Sequence, residues 1–224
     1  LENQWSRQVK KGRLEESLAR QYREKIVTVE HYSSLSDSKL IIEAIAENMD
    51  AKQAIFKELS TISSPEMVLA SNTSSLSITG LASLCAFPQN VVGLHFFNPA
   101  PVMKLTEVIA GLATSSATLD WAVNFSKGLG KEPVIVNEAP GFIVNRMLIP
   151  MINEAIGILA EGVATAEEID KAMRYGANHP IGPLALADLI GNDVNLSIME
   201  TLHNETGDPK YRAHALLRKM VRAN

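Results

Sequence analysis

The feature that most restricts this chain is a change of rhythm at Pro140-Gly141. Ahead of it, short apolar runs of strand length alternate with amphipathic stretches of helical period; beyond it only helical patterns follow. Residues 26–30, 40–45, 67–70, 91–95 and 134–136 have the β-branched or continuously apolar composition of strands. The run at 40–45 predicts a strand buried on both faces. Helices are predicted over 49–59 and 117–129, the first with Ala51, Ile55, Phe56 and Leu59 on one face, the second ended by Gly130. Strands alternating with helices imply a mainly parallel sheet with helices on both faces. Past the break, helices are predicted over about 142–162, 165–175 and 183–204, with a last one near the end. Thr165 and Glu168 have capping-box spacing, and Pro150 is expected to kink the helix that holds it. The architecture expected is a doubly wound α/β domain over residues 1–139 followed by an all-α domain over 140–224.

The chain opens inside a polar helix, with Leu1, Trp5, Val9 and Leu14 near helical spacing among Arg, Lys and Glu, so a preceding segment is expected. Composition matters mainly for what it excludes. With 224 residues, 46% hydrophobic and 21% charged, the chain is long enough to bury one large core or two modest ones. A net charge of -4 without a basic stripe gives no reason to expect a nucleic-acid partner. No apolar run has transmembrane length and no signal peptide is apparent, so no membrane partner is expected. The single cysteine, Cys85, excludes an internal disulfide and fits a reducing cytoplasm or organelle matrix; it reads as a small buried hydrophobe. No metal is expected.

Chemistry in a doubly wound sheet gathers just past the carboxyl ends of its strands. Three polar clusters fall there: Glu47-Asn48, Ser71-Asn-Thr-Ser-Ser75, and His95 with Asn98-Pro99 behind it. Such clusters exceed what a buried sheet needs for stability. His95 reads either as a satisfied structural histidine or as a general base shielded by Phe96 and Phe97 and held by Glu107, the nearest carboxylate able to return to it. Glu107 is otherwise an exposed charge at a strand edge. Ser74 is either a turn residue or a hydroxyl placed to bond a substrate oxygen. Asn145 lies early in a helix lined by Phe142, Val144, Leu148 and Met151; it is exposed beside Arg146 or it points across the domain junction.

Three segments carry a closer likeness: Ser71-Asn-Thr-Ser-Ser75, Gly93-Leu-His-Phe-Phe-Asn-Pro-Ala-Pro-Val-Met-Lys-Leu105 with Glu107, and Pro140-Gly-Phe-Ile-Val-Asn-Arg146. With Asn178-His-Pro-Ile-Gly-Pro183 and Asp188-Leu-Ile-Gly191, they resemble the 3-hydroxyacyl-CoA dehydrogenases in the right order over essentially the whole chain. Residues 147–155 and Glu205-Thr-Gly-Asp208 resemble most the 3-hydroxybutyryl-CoA members. The resemblance implies a Rossmann-type fold and reversible hydride transfer between carbon 3 of an (S)-3-hydroxyacyl-CoA and NAD or NADP. It implies His95 as general base, Glu107 orienting it, Ser74 bonding the substrate oxygen beside the nicotinamide, and Asn145 holding the acyl-thioester end. It further implies Asn98 on the acyl part, Glu47 and Lys52 touching the dinucleotide, and Ser17 where the family meets coenzyme A. Lys10, Lys11 and Arg13 are either near the CoA phosphates or on a solvated helix face. A homodimer through the helical domain is implied as well, consistent with a surplus of apolar positions there (Ile156, Leu159, Leu184, Leu186, Leu189).

One departure stands out. The family opens with a strand, a Gly-rich turn and a helix that cradles the pyrophosphate. Here no G-x-G-x-x-G occurs; Gly128 and Gly130 are the nearest pair, and Pro133 stands where the third glycine belongs. The Rossmann-type sheet is therefore expected to be incomplete at its N-terminus, and the residue that would separate NAD from NADP is not in the sequence. Two competing readings remain: a non-catalytic, crystallin-like relative or CoA-binding fragment, and a different two-domain dehydrogenase. The set His95, Glu107, Ser74 and Asn145 argues against the first, and the His-Phe-Phe-Asn-Pro segment against the second.

Overall fold

The computed structural model describes residues 2–223, which form two compact units divided between Asp37 and Ser38. Leu1, part of the expected opening pattern, lies outside the described residues. The first unit holds helices α1 (Glu2–Lys10) and α2 (Glu16–Glu24). They pack through Trp5 against Tyr22, with ring centroids 6.2 Å apart, and bury Ala19. Residues 26–30, expected as a strand, pair with no other strand among the described residues, and Ile26, Val27 and Val29 stay exposed. Apolar, β-branched composition favours an extended backbone, but a strand exists only where a neighbour accepts its ladder bonds.

The second unit begins with a five-stranded sheet, β1 (Leu40–Glu43), β2 (Val68–Ser71), β3 (Val91–Phe96), β4 (Leu105–Ala110) and β5 (Glu132–Asn137), in that spatial order. Three of its four pairings are parallel; β3 and β4 are antiparallel. The expected mainly parallel sheet is present. β4, which composition did not single out, reverses the chain within it. Period-two alternation decides the two cores. Leu69, Val91 and Ile109 face α3 (Met49–Ser60) and the short α4 (Ile78–Ala82), packing with Phe56, Leu59, Ile78 and Leu81. Their neighbours Val68, Ala70, Val92, Leu94 and Val108 face the other way, onto Ala122 of α5 (Ser116–Gly128). Among the described residues, the expectation that 40–45 is buried on both faces is not met. Ile42 and Ile45 are exposed, and the residue that goes inside is the charged Glu43.

Beyond β5 every element is helical. α6 (Val144–Ala160) runs on through Pro150, and α7 (Ala166–Gly176) starts with the predicted capping box of Thr165 and Glu168. The predicted helix over 183–204 is two helices, α8 (Pro183–Ile190) and α9 (Asn192–Thr206), because Gly191 takes φ 103°, which no L residue sustains within a helix. With α10 (Ala215–Arg222), these helices enclose a core of Ile149, Ile152 and Ile156 against Ala187, Ile198, Met199, Leu202, Tyr211 and Leu217. The α6 contributions recur at helical spacing, so one stripe of that helix faces the core.

Candidate active site

The antiparallel reversal brings the chemistry together. In the register of β3 and β4, His95 stands directly opposite Glu107, so the two side chains share a face and adjoin. His95 Nδ1 lies 2.8 Å from Glu107 Oε2, and both residues are buried. The other carboxylate oxygen, Oε1, accepts from the backbone amides of Ile143 at 3.0 Å and Val144 at 3.1 Å. Burial pushes the Glu107 carboxyl up. The His95 hydrogen bond, the Val144 and Ile143 amides and the imidazole's charge outweigh it and hold the group below its ordinary value. An ionised carboxylate can only accept, which assigns the Nδ1 proton to the histidine and leaves Nε2 with its lone pair as a base. The imidazole is walled by Phe97, at 4.3 Å between ring centroids, and Phe142, at 5.9 Å.

The amides that reach Glu107 are aimed by an unusual turn. Gly141 and Phe142 both have left-handed backbones, at φ 70° and φ 51°. Left-handed conformation is rare for a bulky side chain, and it persists where the surroundings over-determine it. Here Phe142 is 3% exposed against His95, and a Cβ on Gly141 would lie 2.9 Å from Leu202 and 3.2 Å from the Arg146 nitrogen. The turn therefore joins the start of α6 to the His95–Glu107 dyad.

Ser74 belongs to a loop organised on another carboxylate. Glu47 Oε1 accepts from Thr73 Oγ1 at 2.6 Å, the Ser74 amide at 2.7 Å, Ser74 Oγ at 3.0 Å and the Ser75 amide at 3.1 Å. Burial raises the Glu47 pKa. The Thr73 hydroxyl, the Ser74 amide, the Lys52 charge and the Ser74 hydroxyl together outweigh burial, so the net shift is downward. Asn145, in the first turn of α6, donates through Nδ2 to the Ser74 carbonyl at 3.2 Å. Asn72 Oδ1 accepts from the Phe96 amide at 2.9 Å, which ties the loop back to the strand of His95. His95, Glu107, Asn145 and Ser74 thus belong to one closed circuit of hydrogen bonds and chain neighbours.

The remaining residues fall less centrally. Asn98 is exposed just beyond Phe97, and Ser17 is exposed on α2 in the first unit. Lys52 was expected to touch a dinucleotide. In this structure its side chain is 1% exposed, with the ammonium 2.8 Å from Glu43 and 3.4 Å from Glu47. Glu43, the backbone amides of Ile143 and Val144, and the individual role of Asn72 were not foreseen. Asn72 lies within the polar cluster 71–75, and Glu43 stood as a lone acid in the apolar run 40–45. Concavities of about 370 and 560 Å³ lie around Glu138, and His95 lines neither.

A buried histidine–carboxylate dyad beside a serine loop, at the carboxyl ends of a doubly wound sheet, is equipped for general acid–base chemistry where such folds bind their ligands. Comparison with known proteins narrows this. The description "3-hydroxyacyl-CoA dehydrogenase, NAD binding domain" matches residues 1–139, and "3-hydroxyacyl-CoA dehydrogenase, C-terminal domain" matches residues 141–224. Over 224 residues the chain is 53% identical to the 3-hydroxybutyryl-CoA dehydrogenase of Clostridioides difficile, spanning 100% of this chain and 80% of that one. It is 51% identical to the probable 3-hydroxybutyryl-CoA dehydrogenase of Bacillus subtilis strain 168, over 100% of this chain and 78% of that one. The crystal structure of (S)-3-hydroxybutyryl-CoA dehydrogenase from Ralstonia eutropha matches with a TM-score of 0.94 at 48% identity, covering 99% of this chain and 78% of that one. The chain belongs to the 3-hydroxyacyl-CoA dehydrogenase family, oxidoreductases with an NAD-type cofactor domain.

Proposed function

We propose that the chain catalyses the reversible oxidation of (S)-3-hydroxyacyl-CoA to 3-oxoacyl-CoA, with 3-hydroxybutyryl-CoA and acetoacetyl-CoA as the working pair. The observation that carries this reading is the His95–Glu107 contact at 2.8 Å, locked to α6 through the Ile143 and Val144 amides. When bound, the nicotinamide ring supplies the hydride acceptor or donor at carbon 3. His95 Nε2 takes the hydroxyl proton in oxidation and returns it in reduction, and Glu107 keeps the imidazole in the productive tautomer while stabilising its charged form.

Ser74 Oγ bonds the substrate oxygen, Asn145 holds the thioester end, Asn98 meets the acyl part, and Ser17 meets coenzyme A. The polar groups at the carboxyl ends of β1 and β2 fit a dinucleotide: Glu47 is a third exposed there, within reach of the Ser74 hydroxyl. Lys52 serves that site by holding Glu47. We assign residues 1–139 to cofactor binding and residues 140–224 to substrate binding and dimerisation. Exposed Met147, Val163, Tyr175 and Leu189 support a homodimer through the helical domain. No helix among the described residues is long and apolar enough to cross a membrane. We place the protein in the cytoplasm, or in the mitochondrial matrix of a eukaryote.

The test is acetoacetyl-CoA-dependent oxidation of NADH, with NADPH in parallel, by the complete protein. Consumption is expected, and the faster reductant identifies the cofactor. His95→Ala is expected to lower turnover by roughly 10²–10⁴-fold while the protein stays folded. A folded His95→Ala protein with wild-type turnover refutes the assignment.

A further inference from the structure

Glu43 has no part in the reaction as described, yet it is 4% exposed at the end of β1, beside Ile42, which is 39% exposed. Every lone pair it presents is engaged. Oε1 accepts from Lys52 Nζ at 2.8 Å and from the Ile45 amide at 2.6 Å. Oε2 accepts from Lys52 Nζ at 3.0 Å and from Ser71 Oγ at 2.6 Å. The same ammonium reaches the Ile45 carbonyl and Glu47 Oε2, each at 3.4 Å. Glu47 in turn gathers the Thr73 and Ser74 hydroxyls and the Ser74 and Ser75 amides on its other oxygen.

Burying such a pair adds little net stability, because desolvation offsets the attraction and apolar residues of similar volume do as well. What the pair contributes is geometry. We propose that Glu43 is a positioning residue for Ser74: it fixes Lys52, Lys52 fixes one oxygen of Glu47, and the other oxygen of Glu47 is the template on which the serine loop folds. This rests on the reading that Ser74 meets the substrate. Ser71, the last residue of β2, donates its hydroxyl to Glu43, so the loop is held at its root by Glu43 and along its length by Glu47.

Glu43→Gln alone takes the nearer carboxylate from a buried ammonium, leaving it Glu47 at 3.4 Å, and is expected to destabilise the chain. The decisive variant is therefore the double substitution Glu43→Gln with Lys52→Met, which removes both charges at similar volume. In the complete protein it is expected to melt near the wild type. Amide hydrogen exchange at Ser74 and Ser75 is expected to quicken, and kcat for acetoacetyl-CoA reduction to fall by about 10- to 10²-fold, the scale of a small misplacement of a reacting group. KM for acetoacetyl-CoA is expected to hold within roughly threefold, because an interaction realised only in the transition state acts on kcat. A folded double variant with unchanged exchange at those amides, or with wild-type kcat, overturns the proposal. A wild-type protein inactive on acetoacetyl-CoA refutes the substrate reading alone; the exchange measurement then decides the relay by itself.

Discussion

Replacing Glu107 by Gln separates the shape of the dyad from its charge. In the wild type, Oε1 faces two N–H donors, Ile143 and Val144, and Oε2 faces His95 Nδ1. An amide has one oxygen and one NH₂. Turning the NH₂ toward Ile143 and Val144 sets donors against donors, so the oxygen stays there and the NH₂ meets Nδ1. The imidazole must then accept at Nδ1 and carry its proton on Nε2, which removes the lone pair that takes the substrate proton. In a hydrolase triad the equivalent acid-to-amide change costs about 10⁴ in kcat with the geometry intact. We expect roughly 10³–10⁴ here, with KM for acetoacetyl-CoA nearly unchanged. Weakening three charge-assisted hydrogen bonds to neutral ones is expected to cost about 1–3 kcal/mol. That corresponds to roughly 2–4 °C of melting temperature per kcal/mol for a chain of this size. Steady-state NADH oxidation gives the rate, and nitrogen NMR of labelled histidine reports the tautomer. A Glu107→Gln protein that keeps its activity within roughly tenfold, or that retains the proton on Nδ1, refutes the reasoning.

Three further outcomes follow from the same structure. Because Glu107 and Glu47 have depressed folded-state pKa values, their contribution is fully present above the unfolded carboxylate value of about 4.3 and is lost as pH falls through the folded one. Denaturant stability is expected to drop in that acid window, and the Glu107→Gln curve to be flatter there; parallel curves contradict it. Gly182→Ala places a Cβ 2.2 Å from the Asp170 side chain, which accepts from the Leu184 and Ala185 amides at the start of α8. Displacing that cap is expected to cost up to about 2 kcal/mol in denaturant unfolding, and a neutral result is incompatible with the contact. Thr165→Ala removes one half of the capping box of α7 and is expected to cost about 1 kcal/mol, read as a lowered urea midpoint at constant slope.

The sequence by itself determined what depends on short-range pattern. Alternating apolar runs and helical stretches specify a doubly wound sheet followed by helices, because side-chain period decides which residues share a face. The capping box at Thr165 and the stop at Gly130 are equally local. The serine loop and His95 were legible as candidates, since polar residues gathered at predicted strand ends; Asn145 was legible only as a polar residue early in a helix, exposed or turned across the junction.

Only the tertiary structure decided how they combine. His95 and Glu107 meet through the cross-strand register of β3 and β4 after an exposed turn, a pairing that no periodicity encodes. The Glu107 bonds to Ile143 and Val144 span 36 and 37 residues and need the left-handed turn at Gly141 and Phe142. Glu43 looked like an interruption in an apolar run until the fold set Lys52 of α3 and Ser71 of β2 against it. Ionic and cross-strand contacts act between residues distant along the chain, so their partners exist only once the backbone has brought them within a few ångströms. Local period and turn chemistry need no such partner, which is why they could be read first.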